Sequence, residues 1–170
     1  MERTGKVTFL GKPLTLIGTE QKIGGKASDF TVLDKELKEV RLKDFNGKIK
    51  FISVTPSLDT PVCYKQAQRF NQEAVQLPDT VVIMNISMDL PFAIARFYTT
   101  AGIDRIQTYS DHRDASFGNA YGVLIKELRL LARSIFVIDR DDTIRYIELV
   151  PELTEHPDYD KALAELKKLI

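Results

Sequence analysis

The chain reads as an α/β layer fold with a central mixed β-sheet flanked by helices, and two features of the sequence predict it. From Phe51 onward, short apolar runs rich in β-branched residues alternate with stretches in which apolar residues recur at helical spacing. Near the end, Ser134–Asp139 and Thr143–Val150 flank the polar Arg140-Asp141-Asp142, the pattern of an antiparallel hairpin added to that alternation.

Taken in order, Val7–Leu10 and Leu14–Ile17 flank Gly11-Lys12-Pro13 and predict an N-terminal β-hairpin. Phe30–Leu33 and Val40–Leu42 form further short strands, and the charge run Asp34–Lys43 reads as a solvated surface. Phe51–Val54 reads as a buried strand, followed by a polar turn through Asp59. A helix then carries Ala67, Phe70, Ala74 and Leu77 on one face. Strand Val81–Ile86, helix Leu90–Ala101, a strand near Ile106–Tyr109 and a short helix near Ser116–Tyr121 continue the alternation. Tyr159, Leu163, Leu166 and Ile170 mark one face of a final helix.

The 170 residues suit one domain spanning the chain, and 44% hydrophobic residues supply a continuous core. Lysine plus arginine equals aspartate plus glutamate at 24 each, which removes the electrostatic footprint of a general nucleic-acid binder. No run reaches the length of a membrane span, and Met1–Lys6 leads into no apolar stretch of signal-peptide length, so a cytoplasmic location is expected. The isolated glycines form no phosphate-binding motif, and one thiol with two histidines is too sparse for a structural zinc site. No cofactor or metal is expected.

Cys63 is the only cysteine. Thr60 suits a helix N-cap and Pro61 the first helical position, which places the sulfur in the first turn among unpaired amides at the positive end of the helix dipole. Free thiols are only ~3% ionised at neutral pH, whereas helix N-termini and adjacent cations lower the pKa of a thiol to roughly 3.5–7.5. A hundredfold change in ionisation corresponds to about 2.7 kcal/mol, within reach of dipole, amides and one guanidinium together. Two blander readings stand beside this one. Cys63 continues the stripe of Ala67 and Phe70 as a small hydrophobe would, and a cysteine hydrolase would pair it with His112 or His156, neither of which has a local signature.

Pro56-x-x-x-Thr60-x-x-Cys63 resembles the active-site signature of peroxiredoxins. The fuller text Pro-Ser-Leu-Asp-Thr-x-Val-Cys, with Arg69-Phe70-Asn71, Ser87–Ala93 and Leu130-Leu131-Ala132-Arg133, resembles the bacterial thiol peroxidase branch from Val7–Leu16 to Pro157-Asp158-Tyr159. The resemblance implies a thioredoxin-like fold, a homodimer, and reduction of hydrogen peroxide and organic hydroperoxides through a sulfenic acid at Cys63. It gives Thr60 a hydroxyl role near thiolate and peroxide, Pro56 the shielding of the sulfur, and Arg133 a guanidinium brought to the same pocket. Arg133 also opens the apolar run Ser134–Ile138, where a cation is expected to have a partner.

One position departs from many relatives. Where they carry a second, resolving cysteine after the Asp-Leu-Pro-Phe-Ala motif, this chain has Tyr98. A phenol cannot form that disulfide, so reduction is expected from an external thiol such as thioredoxin, and Cys63 is left open to over-oxidation. Tyr98 is expected to be structural, sharing a buried helix face with Leu90, Ile94, Phe97 and Ala101. The alternative function is a peroxide sensor without turnover, or a thioredoxin-like binding module.

Overall fold

The computed structural model describes residues 1–170. Its framework is a seven-stranded sheet with a separate three-stranded sheet at one side. The N-terminal hairpin is formed by β1 (Glu2–Phe9) and β2 (Lys12–Ile17), and β3 (Thr31–Leu33) pairs with β4 (Glu39–Arg41) ahead of a single 3₁₀ turn at Leu42–Phe45. The alternating part then runs β5 (Ile49–Val54), α1 (Pro61–Ala74), β6 (Val81–Ser87), α2 (Pro91–Ala101), β7 (Gln107–Ser110) and α3 (Ser116–Tyr121). After β8 (Leu124–Ile125), the chain closes with β9 (Ser134–Ile138), β10 (Ile144–Leu149) and α4 (Tyr159–Lys167).

The large sheet has the order β10-β9-β5-β6-β7-β3-β4. Its central strands β5, β6 and β7 are parallel, as helical crossovers require, while β9 pairs antiparallel with β5 on one side and β3 antiparallel with β7 on the other. The sheet is therefore mixed, as the alternation and the closing hairpin predict.

Every residue of β5 is buried, because both of its edges and both of its faces are covered. Strand alternation sends Ile49 and Phe51 to one face, where Ala67 and Phe70 of α1, Ile94 of α2 and Leu163 and Leu166 of α4 complete an apolar cluster. Ile52 and Val54 face the other way, onto Phe117 and Tyr121 of α3 and Val7, Leu14 and Leu16 of the hairpin. Burial of this kind contributes about 1.5–3 kcal/mol per large apolar side chain.

Several boundaries shift for identifiable reasons. The first hairpin turns at Leu10-Gly11, both at positive φ, the two-residue connection whose twist suits antiparallel strands. Pro13 therefore lies inside β2, opposite Thr8. Thr8 directs its N–H and C=O outward, to Pro151 and Leu153, so Pro13 faces a pair that exchanges no ladder bonds and its missing N–H costs none. Strand β8 was not foreseen: two residues carry no periodicity, yet they pair with β2 and close the small sheet. Leu77 packs on the core from the turn after α1 rather than from the helix. Leu90 is 53% exposed as the N-cap of α2, and Ile170 is 52% exposed beyond α4, with Leu169 packing in its place.

Candidate active site

The Thr60-Pro61 pair starts α1 as its chemistry dictates. Thr60 is extended, its Oγ1 accepts a hydrogen bond from the Cys63 N–H at 3.4 Å, and Pro61 takes the first helical position. The Thr60 hydroxyl donates to the Ser57 carbonyl at 3.2 Å. The loop between β5 and the helix is tied down from β6. Asp89 accepts from the Ser57 hydroxyl at 2.7 Å, the Leu58 N–H at 2.8 Å and the Ser87 hydroxyl at 2.8 Å.

Cys63 is fully buried, and so is Arg133, at the entrance to β9. Nη1 of Arg133 lies 3.2 Å from the Cys63 sulfur and also donates to Gln66 Oε1 at 2.9 Å. Nε and Nη2 both donate to the Leu153 carbonyl, at 3.2 and 2.8 Å. Of the five N–H groups of a guanidinium, these contacts use four and leave one on Nη2. No carboxylate lies within ion-pairing distance of Arg133, although every other strongly buried cation would be expected to have one. A buried unit charge costs several kcal/mol unless an opposite charge meets it. The one group in contact that can become an anion is the sulfur of Cys63.

Gln66 is the residue that the sequence reading missed. It sits on the same face of α1 as Cys63, wholly buried, and donates through Nε2 to Ser53 Oγ at 2.7 Å while accepting from Arg133. A polar side chain within the stripe Cys63, Ala67, Phe70 was a legible signal, because a buried amide at that position must be hydrogen-bonded.

Pro56, Thr60 and Arg133 line one cavity of about 340 Å³, with Phe9, Leu128 and Leu153 among the apolar walls. The structure thus brings Cys63, Thr60 and Pro56 of one segment together with Arg133 from a distant part of the chain. It leaves both histidines out of this contact set. His112 lies between β7 and α3, and His156 shares a 2.6 Å hydrogen bond with the Tyr159 hydroxyl. The sulfur's side-chain partner is an arginine, which supplies charge rather than a base.

Tyr98 is bonded into the scaffold. Its hydroxyl donates to the Ile106 carbonyl at 2.8 Å and accepts from the Thr108 N–H at 2.7 Å, joining α2 to the start of β7. Burial raises its pKa above the usual phenol value. Lys35 lies 5.0 Å above the ring, which places one residue of the charged Asp34–Lys43 run against a partly buried aromatic.

A cysteine in the first turn of a helix, reached by a buried arginine from an adjacent strand entrance, defines a redox class. The chain belongs to the redoxin family, whose family model matches residues 22–163. More particularly, it is similar over nearly its whole length to bacterial thiol peroxidases. It is 54% identical over 162 residues to the thiol peroxidase of Oceanobacillus iheyensis, covering 95% of this chain and 98% of that one. It is 53% identical over 165 residues to that of Bacillus subtilis, covering 97% and 98%. Among solved structures, a peroxiredoxin-like protein from Aquifex aeolicus matches with a TM-score of 0.91 at 37% identity over 99% of each chain. The fold is thioredoxin-like, as the resemblance implied.

Proposed function

We propose that Cys63 is the peroxidatic residue of a one-cysteine thiol peroxidase, with Arg133 holding its thiolate and Thr60 and Pro56 shaping the approach of the peroxide. The observation that carries this assignment is the 3.2 Å contact between the sulfur and a buried guanidinium that has no carboxylate partner.

The thiolate attacks the hydroxyl oxygen of the peroxide. An S–O bond forms as the O–O bond breaks, the sulfur loses two electrons, and the departing alkoxide or hydroxide takes a proton from solvent. Negative charge moves from sulfur to the leaving oxygen, and Arg133, which lines the cavity and keeps one N–H of Nη2 unassigned, supplies a donor to it. Thr60 Oγ1 fixes the helix mouth through the Cys63 N–H and offers the peroxide a polar contact in the cavity wall. Pro56 fills the wall with a side chain that has no polar atom, limiting water at the sulfur.

Donors that stabilise a thiolate also lower its intrinsic nucleophilicity, so positioning must supply part of the rate. The sulfenic acid formed at Cys63 condenses with an external thiol, giving a mixed disulfide and water, and a second external thiol displaces the Cys63 thiolate as an external disulfide forms. Tyr98 and the lone cysteine leave no internal route. A thioredoxin-class donor, a homodimer and a reducing compartment such as the cytoplasm complete the reading. An unpaired thiol that depends on reduced partners suits such a compartment.

Steady-state peroxide loss, measured with thioredoxin, glutathione and small dithiols in parallel, tests the proposal. Sustained consumption with at least one donor, abolished by Cys63→Ser, is the expected result. Consumption of one peroxide per subunit with every donor would favour the sensor instead.

A further inference from the structure

We propose that Glu152 is a positioning residue for the Arg133–Cys63 pair, acting as a latch between the N-terminal hairpin and the segment that carries the Leu153 carbonyl. The inference rests on the reading of Cys63 and Arg133 as the reacting pair.

Two of the four assigned N–H groups of Arg133 end on a single backbone oxygen, that of Leu153. The direction of the guanidinium therefore depends on where the Pro151–Thr154 segment is held. That segment lies outside regular secondary structure, after β10, and would be free to drift if its only anchor were the strand before it. It is instead paired with Thr8 of β1. The Thr8 N–H donates to the Pro151 carbonyl at 2.7 Å and the Leu153 N–H donates to the Thr8 carbonyl at 2.9 Å.

Glu152 fastens the same junction through its side chain. Oε1 accepts from the Thr8 hydroxyl at 3.0 Å and from the Gly11 N–H in the hairpin turn at 2.9 Å. Oε2 accepts from the N–H and hydroxyl of Thr154 at 3.0 and 2.9 Å. One carboxylate thus joins the residues on both sides of Leu153 to the tip of the hairpin. These bonds, those from the Thr154 and Gly11 amides foremost, hold the Glu152 carboxyl at about 2. It is ionised wherever a thiolate could be.

The hairpin is part of the site in a second way, because Phe9, next to Thr8, lines the same cavity as Pro56 and Arg133. Releasing the latch would loosen a cavity wall and the arginine's anchor together. A displacement of about 1 Å at the reacting atoms can cost up to roughly 10²-fold in rate.

The test is the single-turnover rate of Cys63 oxidation by hydrogen peroxide, paired with the ultraviolet absorbance of the thiolate at neutral pH. Glu152→Ala should lower the rate by roughly tenfold and reduce the thiolate absorbance. Glu152→Gln, which keeps one accepting oxygen, should fall between it and wild type. Thr8→Val removes one donor to the latch and gives a smaller loss of the same kind should the alanine variant fold poorly. Asp139→Asn weakens the distant β9–β10 turn, where that carboxylate accepts from the Asp141 and Thr143 amides, and serves as the control for general destabilisation. The inference is overturned if Glu152→Ala retains both wild-type signals while Arg133→Gln loses them, or if Asp139→Asn at a matched melting temperature reproduces the losses. Should Arg133→Gln itself retain both signals, the underlying assignment of the pair fails instead.

Discussion

Two cations are buried in this protein, and they are handled in opposite ways. Lys50 in β5 has no exposed surface and meets the carboxylate of Asp142 from the β9–β10 turn, a closed ion pair within the scaffold. Arg133, at the entrance to β9, is equally buried but meets only neutral oxygens and a thiol. A charge already neutralised by a carboxylate has nothing left for chemistry. In the proposed function, the charge left unneutralised beside the Cys63 sulfur is the one that the reaction uses.

The comparison is broken most directly at Arg133. Arg133→Gln should lower the rate of peroxide oxidation by roughly 10²–10³-fold, the loss typical of a removed transition-state donor, as read by single-turnover kinetics with hydrogen peroxide. An unchanged rate would place the guanidinium outside the reaction. At Lys50 the expected effect is on stability alone. Asp142→Asn leaves a buried ammonium without its counter-charge and should cost about 2–4 kcal/mol in urea unfolding, with the peroxide rate held within a factor of two or so of wild type. A large rate loss there would mean that the two cations are not separate in function.

Tyr98 sharpens the contrast from the side of the absent second thiol. Tyr98→Phe strips the Ile106 carbonyl and the Thr108 N–H of their shared partner and should cost about 1–3 kcal/mol of stability, while turnover with an external thiol is unchanged. Turnover that fell with the hydroxyl would give the phenol a redox part.

The smallest effect concerns Asp111. Burial pushes its carboxyl up to about 6 from 3.8, against the pull of the Gly118 and Phe117 amides that it accepts from. The folded state therefore holds a proton that the unfolded chain releases, so stability rises as pH falls from about 6 towards 3.8. Asp111→Asn should flatten that part of the stability–pH curve in chemical unfolding. An unaltered slope would assign it to another group.

The sequence exposed these regions unequally. The helix mouth was legible because its parts are contiguous: Thr60 caps, Pro61 starts, and Cys63 follows at a fixed offset. The alternating strands and helices from Phe51 to Tyr121 were legible through periodicity, with helix ends misplaced at Leu90, which is the exposed N-cap of α2, and at Leu77, which keeps its core contact from the turn after Ala74. Arg133 was marked as a cation heading an apolar run, yet only the family resemblance pointed it at Cys63. Gln66 left a trace in the helix stripe that passed unread. The Leu153 carbonyl left none, because a backbone acceptor has no residue type, and its place is set by pairing between Thr8 and a segment near the other end of the chain.

The most direct measurement is the ionisation of Cys63 at neutral pH, taken as the ultraviolet absorbance difference between the protein and its Cys63→Ser form, with and without Arg133→Gln. The account predicts a pronounced thiolate signal that Arg133→Gln largely removes. An ordinary protonated thiol in the unaltered protein, or a thiolate indifferent to the arginine, would contradict it.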